Sequence, residues 1–301
     1  LRILVTGGAG YVGSHLAAIL RRAGDSVRVV DRQPAAGAVG SLQGDLAHLD
    51  VAARAVRGID TICHLAWGFC RRDPRGELFA NLLSTFNLIE AALAAGVRHL
   101  VFASTAVVYG PTGPARVDED WPCHPEETTI GGPVYGITKL ACEKLCLASR
   151  KRGLTVTVLR IHGVFSRGRL GPFDSMLRQA LTGQPVRVVQ EAGGEYVHLT
   201  DVLSVFRLVI GEPRGSNGTF NVAGSQTYRD SEVAHWLVEA VDSSSPIVPV
   251  SEPGQAMVSV SVDRLYQVLG WRPGQGEFLS GLIRHAAERA RGGSYDAADT
   301  S

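Results

Sequence analysis

"LRILVTGGAGYVGSHLAAIL", Leu1–Leu20, decides the fold. Its apolar run "RILVT" (2–6) reads as a buried strand, glycines follow at Gly7, Gly10 and Gly13, and apolar residues return at helical spacing from Tyr11 to Ala23. A Gly-x-x-Gly-x-x-Gly spacing acquires chemical meaning only between a strand and a helix, which is where it stands. Glycines there permit a tight turn, close backbone approach to a pyrophosphate, and packing of helix on strand. The helix amino terminus adds unpaired N–H groups and the positive end of its dipole. Further on, Asp31 closes a second strand, "SVRVVD" (26–31), where a carboxylate can accept hydrogen bonds from an adenosine ribose and repel a 2′-phosphate. The pattern favours NAD. Arg32, next along, could greet a 2′-phosphate and keeps NADP open.

Outward from this segment, apolar runs alternate with helical patterns, the signature of parallel βαβ units. Strands are expected within 40–46, 60–66, 99–104 and 154–161, and helices over 77–95 and 133–152, the latter opening on Pro133, whose missing N–H costs nothing in a first turn. After Arg160 the elements shorten: a helix near 173–182, a strand near 186–189, a helix after Asp201, a strand at 219–223, and helices near 230–242 and 276–291. The expected architecture is α/β. A Rossmann-type doubly wound parallel sheet over residues 1–165, with chain returns near 196–210, is joined to a smaller carboxy-terminal α/β substrate lobe over 166–290 and a fraying tail over 291–301. Ligands belong in the crevice at the carboxyl ends of the strands.

Composition narrows the function classes. With 45% hydrophobic and 20% charged residues and a net charge of +1, the chain offers no electrostatic case for nucleic acid or an acidic membrane surface. It has no apolar run long enough to span a bilayer and no signal-peptide layout, so a cytoplasmic protein is expected. The cysteines, Cys63, Cys70, Cys123, Cys142 and Cys146, form no CxxC pair and have no histidine at zinc-like spacing; they read as reduced thiols, and no metal is expected. Lysine is confined to Lys139, Lys144 and Lys151.

"VYGITKLACEKL" puts Tyr135 and Lys139 one helical turn apart, on one face. A phenol with a reference pKa near 10 is a poor base, and a neighbouring ammonium favours its ionised form. Such a pair can pass a proton to or from a carbinol or carbonyl oxygen while hydride moves at the adjacent carbon.

The ordered series TGGAGYVGSHL, Asp31, "GDL" (44–46), "HLA" (64–66), "NLLSTFNLIEA" (81–91), "STAVVYG" (104–110), YGITK, "LRIHGVFSRG" (159–168), "YVHLTDV" (196–202) and "LGWRP" (269–273) resembles the extended short-chain dehydrogenases/reductases of the NAD-dependent nucleotide-sugar epimerase/dehydratase family, over nearly the whole chain. The resemblance implies that Gly7, Gly10, Tyr11, Val12 and Gly13 face the pyrophosphate, that Asp31 takes the ribose, and that Asp45 and Leu46 lie beside the adenine. It also implies cofactor contacts from Leu65, Ala66 and Asn81. Thr105 would hydrogen-bond the substrate oxygen, Tyr135 would act as acid/base, and Lys139 would hold the nicotinamide ribose while lowering the tyrosine's pKa.

Departures from the family pattern shape the reaction. Thr105 is followed by Ala106 and Val107 where dehydratases carry acids, so water loss is not expected. Gly194 with Glu195, and Val258, stand where arginines would grip a diphosphate; Arg167, Arg169, Arg178 or Arg187 could substitute. Trp67 could line the cleft near the nicotinamide or pack beneath a loop, and His162, His198 and Arg169 are further candidates for touching substrate. The leading reading is a nucleotide-sugar epimerase working through a transient ketone. Its rivals are an NAD(P)H-dependent ketoreductase of a keto-deoxysugar or small natural-product ketone, and a non-catalytic dinucleotide sensor. By the same resemblance, a homodimer would form through the helices at 77–95 and 133–152.

Overall fold

The computed structural model describes residues 1–34, 40–68, 73–128, 130–132, 134–167, 169–251, 257–274 and 279–291. Pro133, Cys70 and the tail beyond 291 lie outside the described residues. In chain order the first half runs β1 (Arg2–Thr6), α1 (Tyr11–Arg22), β2 (Ser26–Asp31), β3 (Ser41–Gln43), α2 (Leu49–Ala55), β4 (Thr61–His64), α3 (Pro74–Ala94), β5 (His99–Thr105), α4 (Tyr135–Ala148) and β6 (Thr155–Ile161). The second half runs β7 (Val164–Phe165), α5 (Asp174–Leu181), β8 (Val186–Val189), β9 (Gly193–Gly194), β10 (Val197–His198), α6 (Leu199–Gly211), β11 (Thr219–Val222), β12 (Tyr228–Arg229), α7 (Asp230–Ala240), β13 (Ile247–Val250), β14 (Met257–Val258), α8 (Asp263–Leu269) and α9 (Leu279–Arg291).

Seven strands make one parallel sheet in the order β11-β6-β5-β4-β1-β2-β3. The winding reverses between β1 and β4, and this switch point opens a crevice at the carboxyl ends of the strands. Strand composition follows from burial on both faces. Along β1, Ile3 and Val5 enter one core and Leu4 the other; along β5, Val101 and Ala103 alternate with Leu100 and Phe102 in the same way. Helices α1 and α6 cover the first face, and α2, α3 and α4 the second. A third core joins α5, α7, α9 and β8, which pairs with β13.

Some boundaries differ from expectation for local reasons. Helix α3 starts at Pro74, not near 77, because the Asp73 carboxylate accepts the Gly76 N–H at 2.9 Å and Pro74 occupies the first turn. Helix α6 begins before Asp201 because His198 Nδ1 accepts the Thr200 N–H at 3.3 Å. Helix α4 gives way to a 3₁₀ turn, Ser149–Arg152, closed by left-handed Gly153. The seven-residue helices α2 and α8 were too short for periodicity to reveal. No helix among the described residues is long and apolar enough to cross a membrane.

Candidate active site

The loop between β1 and α1 requires its glycines. Gly7 has φ +70°, and a Cβ on it would stand 2.7 Å from the Ala66 backbone. A Cβ on Gly13 would stand 2.2 Å from the Gly7 carbonyl oxygen. Gly10 begins α1 with no side-chain cap and no acidic residue in the first turn, so the helix amino terminus is left to an anion. Above it lies a cavity of ≈ 390 Å³ whose walls include Gly7, Gly10, Asp31, Arg32, Asp45, Leu46, Ala66, Trp67 and Asn81. Loop, helix end and carboxylate fit a dinucleotide.

The predicted cofactor residues play distinct parts in this wall. Asp31 accepts the Ala9 N–H at 2.9 Å and the Gln33 N–H at 3.0 Å, tying the end of β2 to the glycine loop. Asp45 accepts the Ala47 N–H at 2.9 Å, and Leu46 is buried beside it. Asn81 holds Gly68 from both sides, accepting its N–H and donating to its carbonyl, each at 2.9 Å. Leu65 and Ala66 donate their N–H groups to Thr6 Oγ1 at 3.1 and 3.0 Å. Tyr11, Val12, Gly13 and Leu65 do not line the cavity among the described residues. Gly13 is buried, and Tyr11 turns away: its hydroxyl bonds Ser166 Oγ and its ring carries the Arg169 guanidinium at 4.7 Å.

Thr105 ends β5, and Tyr135 and Lys139 lie on the first turns of α4. The Thr105 side chain hydrogen-bonds the Tyr135 phenol and eases its ionisation, but burial dominates and pushes the phenol up to about 12, with negative Glu77 adding to the rise. Lys139 lies one helical turn further along α4. Its ammonium donates to the Ala103 carbonyl at 2.8 Å and lies 3.8 Å from the centre of the Trp67 ring and 5.2 Å from that of Phe102. Burial brings Lys139 down to about 8.

Two buried networks that hold these groups escaped the sequence reading. Glu143, one turn beyond Lys139, accepts Ser104 Oγ at 2.5 Å and the Arg160 guanidinium at 3.1 and 2.9 Å, fastening α4 to β5 and β6. A second chain begins at Thr6. Because Thr6 Oγ1 already accepts two N–H groups, it donates to His64 Nδ1 at 2.8 Å. His64 Nε2–H then donates to Thr85 Oγ1 at 3.1 Å, and Thr85 to the Asn81 carbonyl at 2.8 Å. Burial holds His64 neutral, down to about 3. The one sequence signal for the first network was Glu143 sharing Lys139's buried face.

Thr105, Tyr135 and Lys139 line a second, larger cavity of ≈ 770 Å³, with Arg169, Arg187, Asp230 and His162, among apolar residues that include Val107, Ile130, Met176, Val189 and Val258. Trp67 is not on its wall among the described residues, but packs edge-on against Tyr135 at 5.9 Å and over Lys139, so it stands between the two cavities. His162 lines the larger cavity but offers it no spare nitrogen: Nδ1 accepts the Gly163 N–H at 2.8 Å and Nε2–H donates to the Val258 carbonyl at 2.9 Å. Gly194 makes room for that ring, since a Cβ there would lie 2.5 Å from His162 Nε2. Glu195 is buried and accepts Ser259 Oγ at 2.7 Å, Thr227 Oγ1 at 2.9 Å and the Val260 N–H at 2.9 Å. Arg169 lies 3.9 Å from Asp174, and Asp230 accepts the Tyr196 hydroxyl at 2.6 Å.

The chain resembles several characterised proteins along most of its length. It is 29% identical to UDP-glucose 4-epimerase of Halalkalibacterium halodurans, covering 95% of this chain and 94% of that protein. It is 31% identical to a 3 beta-hydroxysteroid dehydrogenase/Delta 5-->4-isomerase of Mycobacterium tuberculosis, covering 90% and 77%. The solved structure of MoeE5 in complex with UDP-glucose and NAD superposes with a TM-score of 0.83 at 30% identity, covering 97% of this chain and 99% of that one. Residues 3–223 match the NAD dependent epimerase/dehydratase family, and the chain belongs to it.

Proposed function

We propose that this protein is an NAD-dependent epimerase of a nucleotide sugar, acting through a transient ketone. The observation that carries the proposal is the junction of the two cavities: Tyr135, bonded to Thr105 on the substrate side, touches Trp67 on the dinucleotide side. The first cavity suits NAD, with Asp31 at the ribose and Gly10 and the amino terminus of α1 at the pyrophosphate, while Lys139, on the wall of the second cavity and under Trp67, would meet the nicotinamide ribose where the two adjoin. Bound NAD supplies the hydride acceptor and, in the return step, the donor. A sugar hydroxyl between Thr105 and Tyr135 gives its proton to the Tyr135 phenolate while Thr105 Oγ1 holds the oxygen in line. When the ketone has turned, Tyr135 returns that proton to the oxygen. Arg169 and Arg187 are the guanidinium groups available to a diphosphate on the cavity wall.

The apolar wall and the carboxylate of Glu195 at a diphosphate position favour a second reading, an NAD(P)H-dependent ketoreductase of a keto-deoxysugar or other small ketone. The hydroxysteroid dehydrogenase relative supports it. One preparation separates the two. Freshly purified protein is denatured, its nucleotide identified and counted, and intact protein incubated with UDP-glucose and UDP-glucuronic acid. About one NAD(H) per chain with C4 inversion of either sugar upholds the epimerase. An empty site refilled by NADPH or NADH, without inversion, moves the ketoreductase to first place.

A homodimer through α3 and α4 is part of this proposal. Phe79, Leu83 and Phe86 are 60, 47 and 49% exposed at i, i+4 and i+7 on α3, and Ile137 is 41% exposed on the adjoining α4. The described cysteines Cys63, Cys123, Cys142 and Cys146 are all free thiols, which suits a cytoplasmic protein.

A further inference from the structure

Lys139 is an ammonium in an unusual place. It is 5% exposed, and among the described residues no carboxylate lies within salt-bridge range of Nζ. Among the charged and titratable groups around it, Glu143, Cys142 and Cys146 favour its charge only from a distance, and burial outweighs them. Glu143 on its own helix is committed to Arg160 and Ser104, Cys142 and Cys146 are buried thiols, and His64 from β4 is locked neutral between Thr6 and Thr85. Tyr135 is bonded to Thr105. What remains for the ammonium is one carbonyl, Ala103 O, and the faces of Trp67 and Phe102. The contact with Lys139 is made through the face of the indole, 3.8 Å from Nζ to the ring centre. Trp67 Nε1–H is buried and has no hydrogen-bond partner among the described residues, although a buried indole ordinarily finds one.

We infer that Trp67 is a positioning residue for Lys139, whose indole face takes the place of a carboxylate and keeps the buried ammonium both charged and directed at the seam between the cavities. The inference gives chemical content to a residue otherwise readable as packing, and it rests on the proposed role of Lys139 only for its consequence in turnover. An ammonium over an indole is attracted by the ring quadrupole, most strongly where water is excluded, and a phenyl ring does the same less well. Replacing the ring by an aliphatic side chain keeps the wall apolar but removes that attraction, so the neutral amine gains.

Lys139, Lys144 and Lys151 being the only lysines, biosynthetic ε-¹³C-lysine labelling gives a spectrum in which Lys139 is assigned by loss of its signal in Lys139→Arg. The Cε shift is followed with pH in the intact chain without substrate. In Trp67→Leu the Lys139 midpoint should fall by about one pH unit, a tenfold rise in acidity, and in Trp67→Phe by clearly less, with Lys144 and Lys151 unmoved. An unchanged or raised midpoint in Trp67→Leu overturns the inference and leaves Trp67 as a water-excluding wall. If Trp67→Leu does not fold, Trp67→Phe decides alone: a lowered midpoint supports the inference and an unmoved one overturns it. Because the titration needs no turnover, it stands or falls separately from the epimerase reading.

Discussion

Tyr135 is a phenol made harder to ionise by its surroundings: burial raises it to about 12, and the hydrogen bond from Thr105 works in the other direction. Proton transfer at neutral pH therefore depends on charge arriving with the bound partners. Tyr135→Phe keeps the ring and its edge contact with Trp67 but removes the proton carrier. Turnover should fall by about 10²–10⁴-fold with dinucleotide affinity unchanged, as read by single-turnover kinetics and by quenching of protein fluorescence on cofactor addition. Undiminished turnover would end the assignment. Thr105→Val should cost about tenfold, with Thr105→Ser restoring most of it, because one hydrogen bond to the substrate oxygen is at stake. These residues were legible because their meaning is local: glycine spacing, an acid at a strand end, two side chains one turn apart. The sequence offered Trp67 as a residue of the cleft but not its contacts with Tyr135 and Lys139, since those partners come from α4 and their significance lies in a distance.

At the scale of elements, α4 decides whether the site holds together. It carries Tyr135 and Lys139, and what anchors it is Glu143, buried against Arg160 of β6 and Ser104 of β5. Glu143→Gln leaves the Arg160 guanidinium buried without its counter-charge, and should cost about 3–5 kcal/mol in denaturant unfolding. The joint replacement Glu143→Leu with Arg160→Met should recover much of that loss, since the desolvation cost leaves with the pair. A Glu143→Gln protein as stable as wild type would mean that the pair orients α4 without stabilising it. Periodicity found α4, α3 and the long strands because apolar residues repeat along them. It missed α2 and α8, each only two turns long, and it could not see Glu143 and Arg160 as partners because they meet only when β6 docks beside β5. The start of α3 was a turn late for want of weighing Asp73-Pro74, a signal the sequence did contain.

Across the whole molecule, two histidines buried in the central sheet make stability depend on pH. Burial lowers His64 to about 3 and His99 to about 4, whereas both titrate near 6.5 once unfolded. The unfolded chain thus binds more protons below pH 6.5, so their contribution is fully present above that value and is lost as pH falls toward 4 and 3. Between pH 7 and 5 the loss should reach about 2–4 kcal/mol, measurable as a lower urea midpoint, and His99→Asn should flatten the slope by up to half. The outer face of α3 raises the last question at this scale. Phe79, Leu83 and Phe86 form a stripe that no other part of the described chain covers, continued by Ile137 on α4, and each phenylalanine taken from water in a two-fold contact contributes roughly 1.5–3 kcal/mol. Light scattering at micromolar concentration should therefore give twice the chain mass. Phe79→Glu with Phe86→Glu should halve it, because charges on a self-complementary face meet their own copies. The cavities at the carboxyl ends of the strands are built within one chain, so the monomeric variant should still bind the dinucleotide. A wild-type monomer would refute the dimer, while loss of cofactor binding together with the dimer would mean that the contact also holds α3, and with it Asn81, in place against Gly68.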